Sequence, residues 1–369
     1  MQDMKDKPHM QAEKHKPIDA PCAWRGADMK NRTDWLRSFS AAELVEIDTA
    51  LQAVKQRGID LFDVEKHDFP LPNFARGLAD ISRQLETGIG MIMLRGLPLS
   101  YSPEDLRIVY WGIGTHLGTA VSQNKTGELF GTVKDFQEEY VNTTRRGSRT
   151  SEGLQFHSDR CDVVGLLCVR KAKTGGASCI VSSAAIHNEI LRRRPDLMET
   201  YYENWVHSWQ GEQPPGSGRT YLRPIFGFRD GFFTGMFSPA YTQFAQDFPE
   251  VPRHTPKQIE ALSLYTQLAE ELALDMHFEP GDIQLLNNHV IYHGRTRYED
   301  YPEENRKRLL LRLWLSTPDA RPLPRDYAEV FGNTERGLVR GGVPCREGWW
   351  RDVTQFRKHR TGIHAKGLN

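Results

Sequence analysis

The chain has 369 residues, 38% of them apolar, which is enough to bury a substantial core in one large domain. Lys and Arg (48) balance Asp and Glu (48), so no whole-chain electrostatic case exists for nucleic acid or another polyanion as partner. Five cysteines, Cys22, Cys161, Cys168, Cys179 and Cys345, are odd in number and form no Cys-x-x-Cys pair, which argues against a disulfide framework and a zinc ribbon.

No apolar run is long enough to span a membrane, and the first twenty residues alternate Lys, Asp, Glu, His and Pro without the apolar centre of a signal peptide. The expectation is a soluble cytoplasmic protein in a reducing compartment, of undetermined oligomeric state. Residues 1–20 are expected to be disordered or loosely ordered, and residues 21–369 to form a single domain.

Ser40-Ala-Ala-Glu43 is a capping box, followed by Leu44, Ile47, Leu51 and Val54 at helical spacing, so an amphipathic helix starts there. A second helical pattern runs from Phe74 to Leu85 and leads into a buried strand ending at Arg95. Ser102-Pro-Glu-Asp105 caps a third helix through Tyr110 and Trp111. From Leu117 onward the pattern changes to short strands with long connections, and 136–151, polar and carrying Arg145, Arg146 and Arg149, has the composition of a lid. Further on, Ser178 to Ser182 reads as a strand, Ala184 to Tyr202 as a helix with Arg192, Arg193 and Arg194 on a solvated face, and Pro256 to Leu274 as a helix capped by Thr255. Ile283 to Ile291 reads as a strand broken by Asn287 and Asn288, and Lys307 to Ser316 as a central strand because it is apolar on both faces. No Gly-x-Gly-x-x-Gly opens a helix after a strand, which disfavours a doubly wound parallel sheet. Short strands with helices outside point to a mainly β, α+β fold built on a jelly roll.

Leu154 to Gly165 carries His157 and Asp159 two residues apart at the mouth of an apolar strand. Two residues is the strand period, so an imidazole and a carboxylate share one face and supply two ligands for a ferrous ion. A surface strand with a simple His to Asp hydrogen bond has the same spacing. A third ligand must come from elsewhere, and His289 and His293 both stand in Asn-Asn-His-Val-Ile-Tyr-His-Gly-Arg-Thr; the strand period puts them on the same side and does not separate them.

Phe-His-Ser-Asp, Thr-Gly-Gly-Ala-Ser, Pro-Gly-Asp-Ile-Gln, Asn-Asn-His-Val-Ile-Tyr-His-Gly-Arg-Thr and Arg-Lys-Arg-Leu-Leu-Leu-Arg-Leu-Trp-Leu occur in that order between about residues 85 and 317. Together they resemble the taurine dioxygenase-like superfamily of iron(II)- and 2-oxoglutarate-dependent oxygenases. The resemblance implies a double-stranded β-helix core over about 85–317, with 318–369 as a C-terminal extension. It also implies iron on His157, Asp159 and His293, with His293 preferred to His289 because the family's distal ligand precedes a small residue and stands about fifteen residues ahead of an arginine, here Arg308. That arginine and a hydroxyl residue hold the far carboxylate of 2-oxoglutarate in the family, which maps onto Arg308 and Ser178, with Arg312 beside the cosubstrate or an anionic substrate. Ion pairs with Glu299, Asp300 or Glu304 are the alternative for both arginines.

A guanidinium presents a planar fork matched to a carboxylate, and one buried among leucines needs such a partner. The expected activity is oxidation of an unactivated C–H bond of a small, possibly anionic organic substrate, most simply hydroxylation, with release of succinate and CO2. Asp159 disfavours halogenation, since related halogenases need a small residue in its place. Asn124, within Ser122-Gln-Asn124, and Arg223 are candidate substrate contacts, as is Arg219. The alternatives are a jelly-roll hydrolase or isomerase using the same His/Asp/His site with another metal, which has no use for the buried anion socket of Arg308 and Ser178, and a non-catalytic binding protein, which should have lost a ligand or the socket arginine where this chain keeps all of them. The Arg-rich stretch from Arg340 to Lys366 is either a solvated surface or a site for an acidic partner.

Overall fold

Strands that are apolar at every position need cover on both faces, and they gather in one sheet here. The computed structural model describes residues 13–137 and 149–366. Its principal strands are β1 (Leu36–Ser38), β2 (Met91–Arg95), β3 (Thr119–Ala120), β4 (Gly131–Val133), β5 (Leu154–His157), β6 (Val163–Arg170), β7 (Ser178–Ser182), β8 (Leu274–Met276), β9 (Ile283–Asn287), β10 (Ile291–Arg295) and β11 (Leu309–Ser316). The longer helices are α1 (Ala41–Arg57), α2 (Phe74–Thr87), α3 (Pro103–Leu117), α4 (Ser183–Arg193), α5 (Pro256–Glu271) and α6 (Val353–Lys366).

The larger sheet runs β1-β2-β9-β6-β11-β3, with β4 also paired to β11, and the smaller runs β8-β7-β10-β5. Pairing is antiparallel throughout both sheets apart from β1 with β2. Alternate residues of the larger sheet enter two different cores, as the strand period requires. Met91, Met93, Val164, Leu310 and Trp314 pack with Ile180 and Ile291 of the smaller sheet, while Ile92, Leu94, Leu167, Leu285 and Leu313 pack with Phe74, Leu78 and Ile81 of α2 and Val109 of α3. Two face-to-face sheets with helices outside make the jelly roll, and β11 lies between β6 and the short strands β3 and β4.

The caps form where the sequence places them: Ser40 and Glu43 close a capping box on α1, Ser102 accepts from the Asp105 amide on α3, and Thr255 with Gln258 closes a second box on α5. Four expected elements are corrected. The stretch Ala184 to Tyr202 is not one helix: α4 ends at Arg193, and Pro195, which disfavours helical backbone at the residue before it, starts a short 3-10 turn ahead of a separate helix, Met198–Tyr202. Helix α5 stops at Glu271, and Leu274 already belongs to β8. His157 and Asp159 do not share one strand as the His-x-Asp period expects, since β5 ends at His157 and the chain crosses to β6, in the other sheet, at Val163. The Ile283 to Ile291 run likewise crosses from β9 in the larger sheet to β10 in the smaller.

Arg192, Arg193 and Arg194 are paired rather than merely solvated, with Glu189, Glu271, Asp196 and Glu260 as partners. The Arg340 to Lys366 stretch is not a free basic arm: Arg340 is buried against Asp162, and Arg357 and Arg360 of α6 engage Glu65, Asp63 and the carbonyls of Phe62 and Val64. Near the start of the chain, Asn188 of α4 brackets Ile18, accepting from its amide at 2.7 Å and donating to its carbonyl at 3.0 Å. The five cysteines are free. Most of the arginine-bearing 136–151 segment, including Arg145 and Arg146, lies outside the described residues; at its base Arg149 sits over the Phe136 ring at 3.7 Å. No helix among the described residues is long and apolar enough to cross a membrane.

Candidate metal centre and cosubstrate pocket

The two sheet crossings lie side by side, and the candidate ligands sit on their rims. His157 is the last residue of β5 and pairs directly with His293 of β10. Asp159 lies just beyond, in the crossing to β6, so its position comes from the crossing rather than from a shared strand. Asn288, in the other crossing, accepts the Asp159 amide at 2.9 Å and donates its own amide to the Asp162 carbonyl at 2.9 Å. Each crossing therefore fixes the other.

His157, Asp159 and His293 bring one ligand atom each to within 4.8 Å of one another, the one such His/Cys/Asp/Glu group found among the described residues. The carboxylate oxygens of Asp159 stand 3.8 Å from His157 Nε2 and 3.7 Å from His293 Nε2. A carbonyl only accepts, so the 2.8 Å contact of His157 Nδ1 with the Gln155 carbonyl puts the proton on Nδ1 and leaves the Nε2 lone pair facing Asp159. Burial, then the neighbouring His157, pushes the His293 pKa down to about 3, so this ring is neutral and able to ligate. Burial acts to raise Asp159, but Arg312, the two histidines and a 2.7 Å hydrogen bond from Trp314 Nε1 outweigh it and hold the carboxyl below its usual range. Donor set and protonation states both suit a ferrous ion.

His289, the other candidate, is elsewhere. It is fully buried with Nε2 2.7 Å from Asp162 Oδ1, in a cluster where Asp162 also accepts from Arg340 Nε at 2.8 Å and from the Thr317 amide at 3.0 Å.

Beside the ligands, Ser178, Arg308 and Arg312 line one pocket together with His157, His293, Arg295, Leu154, Leu166, Phe278 and Leu310. Arg308, Leu310, Arg312 and Trp314 are alternate residues of one stretch of chain, which is why two cations and the Trp314 donor share the inward face. Arg308 is 5% exposed, and its Nη1 has no hydrogen-bond partner among the described residues. Asp300 accepts the Arg308 backbone amide at 2.8 Å, and no ion pair from the guanidinium to Glu299, Asp300 or Glu304 forms. The Gly175–Gly176 turn runs close over the arginine; at Gly176, with φ +72°, a Cβ would lie 3.2 Å from Arg308 Nε. Ser178 Oγ shares a 3.2 Å hydrogen bond with the Gln284 side chain. Arg312 donates from Nε to Gln123 Oε1 at 2.7 Å and holds Nη1 3.6 Å from Asp159.

The remaining candidates lie outside this pocket. Asn124 organises its own turn, accepting from the Thr126 and Glu128 amides and donating to Glu128. Arg223 is buried under the Tyr327 ring and donates to the Met236 carbonyl at 2.7 Å, and Arg219 is exposed and paired with Glu250. Sequence reasoning passed over Trp314, Asn288, Gln284 and Gln123 as individual contributors. Trp314 was within reach, standing two residues beyond Arg312 on the same strand face, and Gln123 stood inside the Ser122-Gln-Asn124 stretch already singled out.

A family model described as taurine catabolism dioxygenase TauD, TfdA family matches residues 53–314. The chain is 32% identical over 321 residues to an FR-33289 synthase of Streptomyces rubellomurinus, covering 84% of this chain and 93% of that one. It is also 32% identical over 308 residues to a taurine hydroxylase-like protein of Stachybotrys chartarum, covering 79% and 77%. Among solved structures, an asparagine oxygenase with Fe(II), 3-hydroxyasparagine and succinate aligns with TM-score 0.60 at 19% identity, covering 77% of this chain and 94% of that one. The non-heme iron oxygenase OrfP with Fe and alpha-ketoglutaric acid aligns with TM-score 0.58 at 14% identity, covering 82% and 99%. With the family model spanning both ligand-bearing crossings and most of β11, the chain belongs to the TauD, TfdA family and is a non-haem iron(II)- and 2-oxoglutarate-dependent dioxygenase.

Proposed function

We propose that the enzyme hydroxylates a small organic substrate, with iron(II) held by His157, Asp159 and His293 and the far carboxylate of 2-oxoglutarate held by Arg308 and Ser178. The observation that carries this reading is one pocket lined by His157 and His293, two of the three clustered donors, and by a buried guanidinium with an N–H that has no partner among the described residues. Bound there, iron(II) with 2-oxoglutarate supplies the oxidation of a C–H bond by dioxygen, coupled to conversion of the keto acid to succinate and CO2.

The chain's own residues set the terms of that chemistry. The Gln155 carbonyl holds His157 through Nδ1, so Nε2 is the nitrogen turned toward the other two donors. Trp314 and Arg312 keep Asp159 ionised and hold one of its oxygens in place, and Gln123 aims Arg312 by accepting from Nε while donating to its backbone carbonyl. Gln284 positions the Ser178 hydroxyl. Leucines 154, 166 and 310 with Phe278 exclude water around Arg308, which strengthens its pairing with a carboxylate. The carboxylate at position 159 occupies the place that a halide-binding site needs small, which favours hydroxylation over halogenation. Relatives of this fold crystallised with hydroxylated amino acids and succinate support the same reaction type.

The test is turnover under 18O-labelled dioxygen with a panel of amino acids and other small organic acids. Hydroxylation gives succinate in step with a product carrying one labelled oxygen; a product that loses hydrogen without gaining oxygen would replace it with desaturation or ring closure.

A further inference from the structure

Unsatisfied buried polar atoms are costly and mark places where a partner is missing. Among the several such places in the described residues are two arginine sites. One is the Arg308 pocket. The other surrounds Arg160, the residue that follows Asp159.

The Arg160 side chain is 6% exposed, yet Nε, Nη1 and Nη2 all lack a hydrogen-bond partner among the described residues. Its guanidinium carbon lies 4.9 Å from the Trp209 ring, 5.0 Å from Tyr241 and 5.8 Å from Tyr221, an aromatic box built by the hairpin Trp205–Ser208/Thr220–Arg223 and the helix Pro239–Ala245. Glu212 Oε2 stands 3.8 Å from Nη1, beyond hydrogen-bond range, so it balances charge without saturating the donors. Trp209 Nε1, on a ring that faces Arg160, is buried and without a partner among the described residues. An arginine has five N–H donors, and aromatic faces satisfy none of them in the plane of the fork. The backbone leading to it is pinned at three successive residues: the Ser158 amide donates to Phe237 at 2.8 Å, the Asp159 amide to Asn288 at 2.9 Å, and the Arg160 carbonyl accepts from Gly342 at 2.7 Å. The cation is therefore held at a fixed offset from the candidate iron carboxylate.

We propose that Arg160, with Trp209 Nε1 beside it, receives an anionic group of the primary substrate, a carboxylate or a tetrahedral oxyanion such as a phosphonate or sulfonate. A rigid fork matches either class, and the fixed offset from Asp159 sets which carbon of the substrate faces the metal. The proposal rests on the iron-site reading above, and its test separates the two. Protein loaded anaerobically with iron(II) and saturating 2-oxoglutarate is titrated by calorimetry with acetate, methylphosphonate and methanesulfonate against a chloride background. Formation of the visible band of the chelated keto acid, read in the same samples, reports the iron site independently.

The expected result is binding of at least one of the three anions, weakened about tenfold or more in Arg160→Met and less in Arg160→Lys, with the band retained in both. The anion that binds best identifies the class. If Arg160→Met does not fold, Trp209→Phe keeps the ring and removes the N–H, and a drop of about threefold for the same anion is expected. Absence of binding by all three anions in the wild type, or equal binding in wild type and variants, overturns the proposal and makes Arg160 a hydrated structural cation. A missing band in the wild type overturns the iron-site reading instead.

Discussion

Asp159 and Asp162 are three residues apart, both fully buried, and both held below the usual carboxylate range, yet their surroundings give them different work. Asp162 is saturated by His289, Arg340, Ser316 and Thr317, a closed cluster with nothing left to offer a metal. Asp159 faces two imidazoles at 3.7 and 3.8 Å, too long for hydrogen bonds and open to an ion between them. This is the physical basis for choosing His293 over His289. His289→Ala removes one partner of a buried carboxylate and leaves a cavity, so it should lower stability by about 2–4 kcal/mol in urea unfolding while succinate formation persists. Arg308→Ala takes away the cation proposed to face the far end of 2-oxoglutarate. The concentration for half-maximal turnover should rise about 30-fold or more. An unchanged requirement would remove Arg308 from the pocket.

At the scale of elements, the site depends on two strands that change sheets. Leu310, Arg312 and Trp314 alternate along β11, which stays in one sheet from end to end, so the strand period gives them one face. The same rule did not separate His289 from His293, because it assumes a continuous strand and the chain leaves the larger sheet after Asn287. His157 and Asp159 do converge, but Asp159 is placed by the Asn288 side chain and not by pleat geometry. No local pattern announces a hydrogen bond between two crossings more than a hundred residues apart in sequence. Asn288→Ala should therefore loosen the carboxylate without unfolding the strands. The measurement is ferrous-ion affinity, which should fall about 10- to 100-fold, as for other groups that orient metal ligands, with an unchanged far-UV spectrum.

Across the whole molecule, buried neutral histidines link stability to pH. Burial pushes His289 and His187 from 6.5 down to about 4, and His207 well below its ordinary value. Between about pH 6.5 and 4 the unfolded chain takes up protons that these folded rings refuse. Stability contributed this way is fully present above the unfolded value and is lost as pH falls toward the folded one, by up to about 3 kcal/mol for a shift of that size. The urea midpoint should decline from pH 7 to pH 4.5 with a constant slope of free energy against denaturant; a flat midpoint would contradict the burial of these rings. The jelly roll itself was legible from apolar runs and caps, since local preferences and global packing agree there. The docking of α6 through Arg357 and Arg360 onto residues 62–65 was not, because a basic surface and a paired one have the same composition.

The central claim is that one ferrous ion sits on His157, Asp159 and His293 with 2-oxoglutarate chelated beside it. An anaerobic titration of apoprotein with iron(II) and 2-oxoglutarate, following the weak visible charge-transfer band of the chelated keto acid, tests it most directly. Wild type and His289→Ala should develop the band, and His157→Ala, Asp159→Ala and His293→Ala should not. A band that survives in His293→Ala and disappears in His289→Ala would contradict the assignment.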